Sequence, residues 1–323
     1  MNEFTAKMNQ LGSAGNPFLF VVDFEMEKPL LFPLDEIDPA DILYAVEGQT
    51  NANDERVNST PEIQFEAFAP EFDVYQKIFD PVMWHLQRGD SYLLNLTHAI
   101  PVATNLSLKE IFHRSNAGYK LWIKDHCVVF SPEPFIKIND GIISTHPMKG
   151  TIDAGLPNAE MLLTDNPKEL AEHYTIVDLL RNDLNMIAEK VNVERFRYVE
   201  KIRTTKGELL QTSSQINGQL PNNFNQNLGD ILIKLLPAGS VSGAPKKKTV
   251  EIIQSTEGYK RGYYTGVFGV FDGKNLNSAV MIRYIEKNAD GFVFKAGGGI
   301  TVNSRVEDEY QEMIQKVYLP FKQ

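Results

Sequence analysis

The sequence predicts an α+β fold built on antiparallel sheets. Two observations carry that expectation: strand-like runs are joined by short turn signals, and the helical periodicities stand far apart. Asn139-Asp140-Gly141, Asp272-Gly273 and Asp290-Gly291 sit between apolar runs, as hairpin turns do. A doubly wound parallel sheet needs strands and helices in regular alternation, and the chain does not alternate in that way.

Each element has its own local reason. After a polar start, Phe18 to Phe24 and Leu30 to Phe32 read as two strands joined across Glu27-Lys28-Pro29. The aperiodic polar stretch from Gly48 to about residue 60 reads as a loop. Tyr75, Ile78, Phe79, Val82 and Leu86 recur at helical spacing, and Gly89 is the stop. Tyr92 to Thr97 is strand-like, and Ser107 caps a short helix running to His113. Successive strands fill Leu121 to Thr145. Pro167 then sits at a first helical position, opening a helix to about Asn185. Strands follow between Val191 and Gln219. Helices cover Leu228 to Leu235 and Pro245 to Gly258. Three strands come next, around Gly266 to Phe271, Ala279 to Glu286 and Phe292 to Ala296, and a helix spans Val306 to Tyr318.

Composition narrows the function classes. The 323 residues are 42% hydrophobic and 23% charged, ordinary for a chain that buries a sizeable core. A formal net charge of -10 argues against a general nucleic-acid or membrane-surface role. The lone cysteine, Cys127, allows no intrachain disulfide and no thiolate cluster. The apolar run Phe18 to Val22 is too short for a leader or a membrane span, so a cytoplasmic protein is expected.

Several side chains could carry chemistry, and each has a plainer reading beside it. In His146-Pro147-Met148-Lys149-Gly150-Thr151, Lys149 is either a surface lysine in a turn or a nucleophile held against a ligand. Glu172 precedes Ile176 by four and Leu179 by seven, so a carboxylate shares a side with apolar residues. In the first turn of a helix it can also stay wet and favour the dipole. Glu309, Glu312 and Lys316 lie at i, i+3 and i+7: either a solvated edge with an ion pair or half of an oxygen-rich Mg²⁺ site. Gly297-Gly298-Gly299 follows a strand and reads as an anion-binding turn or a flexible loop. Leu236 to Lys246 is a small-residue turn feeding a helix N-terminus. It fails the P-loop spacing yet suits an anionic ligand.

The order of these strings along the chain is the sharper signal. Ser131 to Phe135 (SPEPF), Pro147 to Thr151 (PMKGT), Glu172 to Leu184 (EHYTIVDLLRNDL), Leu236 to Lys246 (LPAGSVSGAPK), Arg261 to Gly269 (RGYYTGVFG), Lys295 to Ile300 (KAGGGI) and Glu307 to Lys316 (EDEYQEMIQK) resemble the chorismate-utilising enzymes. The resemblance runs from about Gly89 to the C-terminus, with a shortened N-terminal part of about sixty residues ahead of it. It implies a single catalytic domain over residues 1–323, with antiparallel sheets packed as a sandwich and helices outside.

Within that family the lysine of PMKGT marks the aminodeoxychorismate synthases, where anthranilate synthases carry alanine. Isochorismate and salicylate synthases place a lysine in the strand that here reads Tyr92-Leu93-Leu94, so Leu93 leaves no base at that place. The resemblance therefore implies Lys149 as the nucleophile on chorismate and Glu133 as the acid protonating the departing hydroxyl. It implies Glu172, Glu309 and Glu312 as Mg²⁺ ligands. Gly150, Thr151, Ser242, Tyr264, Arg283, Gly297, Gly298, Gly299 and Lys316 are implied as substrate contacts. With no glutaminase signature, ammonia is expected from a glutamine amidotransferase subunit. Pro134, Gln211 and Leu93 depart from the family's usual arginine, histidine and glutamine. The alternatives are an anthranilate synthase component and a non-catalytic anion- or nucleotide-binding protein.

Overall fold

The computed structural model describes residues 1–53, 62–165, 167–204 and 207–321. Most of the polar stretch read as a loop, residues 54–60, lies outside them. The N-terminal part holds α1 (Asn2–Ser13), β1 (Phe18–Val22), β2 (Leu30–Pro33), β3 (Ile42–Val46), β4 (Gln49–Thr50) and β5 (Phe65–Ala67). Then come α2 (Phe72–Gln87), β6 (Leu93–Thr104), α3 (Leu108–Arg114), β7 (Tyr119–Ile123), β8 (Cys127–Ser131), β9 (Pro134–Asn139), β10 (Ile142–Thr145) and β11 (Met148–Asp153). The middle contributes α4 (Ala159–Thr164), α5 (Pro167–Asn185), β12 (Glu189–Thr204), β13 (Gly207–Gln219) and α6 (Leu228–Leu235). The chain continues with β14 (Gly243–Ala244), α7 (Lys246–Thr256), β15 (Val267–Phe271), β16 (Leu276–Val280), β17 (Tyr284–Asn288), β18 (Gly291–Ile300) and α8 (Val306–Gln315).

Two nine-stranded antiparallel sheets form the sandwich. One runs β11-β13-β10-β9-β16-β15-β1-β2 with β12 on β13; the other runs β14-β6-β18-β17-β8-β7-β3-β4 with β5 on β6. The alternation within β1 shows why the layers hold together. Phe18, Phe20 and Val22 join the core under α1, α5 and α6, whereas Leu19 and Val21 join the core between the sheets. Their partners agree, since Phe18 faces Phe271 and Val21 faces Phe268 in β15. A third apolar layer lies beneath α2, α3, α7 and α8 on the outer face of the second sheet. The predicted sandwich with helices outside is therefore the observed one.

Local signals hold where the chemistry is local. Asp140 and Gly141, at φ 49° and 79°, join β9 to β10 as a two-residue hairpin turn. Ser107 caps α3 in a reciprocal capping box with Glu110.

Four expectations are corrected. The polar start is a helix, α1, which buries Phe4 and Met8. The loop read from Gly48 begins with a short strand, β4, paired to β3. Ala279 to Glu286 is not one strand but β16 and β17, in different sheets. The chain crosses from sheet to sheet at Met281-Ile282-Arg283, and Arg283 takes φ 52° to make the turn. Gly297, Gly298 and Gly299 form neither a turn nor a loop; they continue β18 in register with Thr97, Leu96 and Asn95 of β6. Their role is close approach, because a Cβ on Gly297 would lie 2.1 Å from the Leu96 carbonyl oxygen.

Candidate active site

The site is assembled where the β11 edge of one sheet meets the glycine strand β18 of the other. Between Lys149 and Thr151 the pairing of β11 with β13 slips, and Gly150 at φ 75° absorbs the extra residue. Thr212 donates its hydroxyl to the Lys149 carbonyl, pinning the bulge from β13. The Lys149 side chain then reaches across to β18. A Cβ built on Gly299 would meet Lys149 Nζ and Leu93 Cδ1, each at 3.2 Å. The lysine is largely buried, and its Nζ stands 3.6 Å from Glu172 Oε2. Glu172 itself is buried, so the reading of a wet first-turn carboxylate is set aside.

One residue along β18, α8 supplies the second half. The corresponding position on Gly298 is 3.4 Å from Glu312 Oε1, 3.4 Å from Lys316 Nζ and 3.6 Å from Glu309 Oε2. Glu309 is buried, Lys316 pairs with Glu312 at 2.7 Å, and the same amine donates to the Gly297 carbonyl. The glycines thus leave a bare floor on each face of β18: successive strand residues point opposite ways, so Lys149 rests on the Gly299 side and the acidic edge of α8 on the Gly298 side. Side chains at 298 or 299 would fill that floor.

Glu133 completes the wall. It accepts a 2.5 Å hydrogen bond from Ser240 in the turn before β14. Burial pushes its pKa up, opposed by the Ser240 bond and by the nearby cations Lys149, Lys316 and Arg283. A carboxyl group whose pKa is raised in this way is better suited to deliver a proton to a leaving group. Ser240, which gained no role from the sequence, was signalled only by its place in the small-residue turn.

The remaining expected contacts separate. Arg283 stacks over Tyr318 at 5.2 Å and lies within electrostatic reach of Glu133. Tyr264 is buried beside Tyr284 and between the charges of Arg261 and Arg283; burial raises its hydroxyl pKa. Ser242 is buried and donates to the Ala238 carbonyl, so it braces the turn. Gly150 turns its open face to Leu163 and Glu169, and Thr151 is exposed; the bulge moves both off the floor where Lys149 lies. Gln211, standing where the family usually has histidine, pairs in register with Thr151. Lys246, the first of the three lysines after that turn, is engaged by Asp183 at 2.8 Å and by the Leu235 carbonyl. Cys127 is buried in β8, where desolvation pushes its thiol up to about 12, out of range for a nucleophile.

The donor set fits a hard cation on the Gly298 side of the floor. Glu309 and Glu312 bring two carboxylates to Gly298, the oxygen ligation Mg²⁺ favours. Glu172 is turned instead toward Lys149, and among the described residues no three acidic, histidine or cysteine side chains converge at metal-cage spacing.

The two glycine contacts give a discriminating prediction. Gly297→Ala should destabilise the fold strongly, because its methyl meets the backbone of β6, and should lower the midpoint of urea unfolding. Gly299→Ala should leave that midpoint nearly unchanged yet displace the Lys149 amine. Its effect should appear in turnover.

The fold is one represented among solved structures. A putative 2,3-dihydroxybenzoate-specific isochorismate synthase from Bacillus anthracis superposes with a TM-score of 0.72 at 21% identity, covering 98% of this chain and 86% of that one. Anthranilate synthase component I from Streptococcus pneumoniae gives 0.65 at 27% identity, covering 79% and 58%. The chain belongs to the chorismate binding enzyme family, which matches residues 32–321. It is 51% identical over its whole length to an uncharacterized PabA-like protein of Haemophilus influenzae, covering 98% of that protein. Aminodeoxychorismate synthase component 1 of Salmonella typhimurium is 32% identical over 75% of this chain, which spans 56% of that relative. The family match begins well before Gly89, where the motif resemblance starts. Among the described residues no helix is long and apolar enough to cross a membrane.

Proposed function

We propose that this chain aminates chorismate at C4, as an aminodeoxychorismate synthase, with Lys149 as a transient nucleophile. The observation that carries the reading is the placement of the Lys149 amine on the Gly299 floor beside Glu172, with Leu93 and no base at the neighbouring position. Leucine cannot activate water or ammonia, so the amine is the nucleophile available at that point. Similarity to aminodeoxychorismate synthase component 1 of Salmonella typhimurium, at 32% identity, agrees with this choice, and anthranilate synthase component 1 of Acetivibrio thermocellus matches at the same identity.

Lys149 adds at C2 of the ring while the double bonds shift and the C4 hydroxyl departs as water, protonated by Glu133. Ammonia then attacks C4, the double bonds shift back, and the lysine is expelled. Chorismate and ammonia become 4-amino-4-deoxychorismate and water, with the enolpyruvyl group retained. Arg283 and Lys316 bind the carboxylates, arginine being able to do so bidentately. Glu309 and Glu312, with Glu172 as the third carboxylate if it turned from Lys149, would hold a Mg²⁺ ion, which would supply charge neutralisation for the ring carboxylate. Ammonia comes from a glutamine amidotransferase subunit, since the lone thiol is buried and unreactive.

Incubation with chorismate, Mg²⁺ and ammonium, followed by mass analysis, tests the reading. A product retaining the enolpyruvyl group is required; release of pyruvate with a fluorescent aminobenzoate identifies an anthranilate synthase, and unchanged chorismate rejects amination. The pH profile adds a second check. Glu133 must carry its proton, and its pKa is raised, so turnover should fall as pH climbs through that raised value. Glu133→Gln should lower turnover about a hundredfold and remove that alkaline limb.

A further inference from the structure

Lys149 and Glu172 come from separate elements, β11 and α5, and something must fix their separation. Ser214 of β13 touches both elements. Its backbone N–H donates to the Pro147 carbonyl at 3.0 Å, two residues before Lys149. Its hydroxyl lies 2.6 Å from Nε2 of His173, the neighbour of Glu172 in α5. The same hydroxyl accepts the Arg197 N–H at 2.8 Å. Arg197 sits where the β12–β13 pairing slips, at φ 48°, a conformation unfavourable for arginine. Its guanidinium donates to the last carbonyls of α4, those of Leu163 (2.9 Å) and Thr164 (2.5 Å). Leu163 in turn packs on Gly150, beside the nucleophile.

His173 and Ser214 are fully buried, and among the described residues the other ring nitrogen of His173, Nδ1, finds no partner. An arginine held at positive φ costs free energy, which points to a role for the arrangement beyond stability. We propose that His173, Ser214 and Arg197 are positioning residues that set the distance between the Lys149 amine and the Glu172 carboxylate. Ser214 is the hub: it couples the strand bearing the lysine to the helix bearing the glutamate. Arg197 holds α4 down on the bulge. None of the three is required to touch substrate. The inference deepens the proposed function and rests on it for its kinetic consequences, though the geometry it concerns can be read without chorismate.

The test uses the full chain and two readouts. In the amination assay, His173→Leu and Ser214→Ala should lower kcat about ten- to a hundredfold with KM changed less than about threefold. His173→Gln, whose amide can reach the Ser214 hydroxyl, should recover most of that loss. In the second readout, Lys149 is labelled with trinitrobenzenesulfonate and followed by peptide mass. His173→Leu and Ser214→Ala should change its labelling rate several-fold, in the direction given by Glu172→Gln, and the His173→Leu/Glu172→Gln double variant should add little. Unchanged labelling in both single variants overturns the proposal. So does a kcat loss that is equal in His173→Leu and His173→Gln and follows their thermal stability. Should the wild-type chain fail to aminate chorismate, the proposed function falls while the labelling comparison still decides this inference.

Discussion

Lys149→Ala should abolish C4 amination, lowering kcat by about a thousandfold or more with a much smaller change in KM. The lysine sits between a buried carboxylate and a leucine, so alanine removes the only amine on the Gly299 side of the floor among the described residues. Folding should be affected little, since the side chain is partly exposed and β11 is held by backbone pairing to β13. Lys149→Arg should be as inactive, because guanidinium stays protonated and is no nucleophile. Chemical rescue makes the test decisive. Lys149→Cys alkylated with bromoethylamine restores an amine at nearly the original reach. The native thiol, Cys127, is buried with its pKa pushed up to about 12, so it should not compete for reagent. Return of a tenth or more of the lost turnover supports covalent participation. If amination survives in Lys149→Ala with ammonium supplied, the nucleophilic role is wrong.

That residue was visible in the sequence only through the order of motifs, and the reason is physical. Pro147 and Gly150 announce a turn-like irregularity, but the contact that matters is between sheets, from β11 to β18, and leaves no local trace. Glu172 illustrates the same limit. Its place in the first turns of a helix allowed a solvated side chain, and burial follows from the passage of β11 alongside. The glycine run misled in the other direction. Glycines after a strand suggest a turn, whereas here they continue the strand, and β6 lies too close for a side chain at Gly297. Where the determinants were local the reading held: the Asp140-Gly141 hairpin, the Ser107 cap and the Pro167 helix start are each specified within a few residues. The misread strand at Ala279 to Glu286 failed because Met281-Ile282 remains apolar through the crossover. Only the positive φ at Arg283 separates the two strands, and a sequence does not display it.

The largest effect on stability should come from a pair that sequence reading passed over. Glu257 and Arg261 are spaced i, i+4 at the end of α7, which ordinarily denotes a surface ion pair of small worth. Here both side chains are 1% exposed, and Arg261 binds Glu257 through Nε at 2.8 Å and Nη2 at 2.6 Å. The guanidinium also donates to the carbonyls of Val241 and Asn95 and stacks over Phe24 at 4.5 Å. The carboxylate meanwhile accepts from the Thr97 backbone N–H and hydroxyl. One buried pair therefore joins α7, β6 and the turn that carries Ser240. Glu257→Ala should cost about 3–5 kcal/mol, because it leaves a desolvated guanidinium without its counter-ion. Chemical denaturation should report the loss as a lower midpoint, and Glu257→Gln should retain part of the stability through hydrogen bonding. The double variant Glu257→Leu/Arg261→Met tells pairing from packing. If the damage in the single variant is an uncompensated charge, removing both charges should recover most of the stability. A double variant as unstable as Glu257→Ala would mean instead that the backbone bonds from Arg261 to Val241 and Asn95 hold this corner. Turnover should then fall even at temperatures where the fold survives, because the turn bearing Ser240 would no longer present its hydroxyl to Glu133.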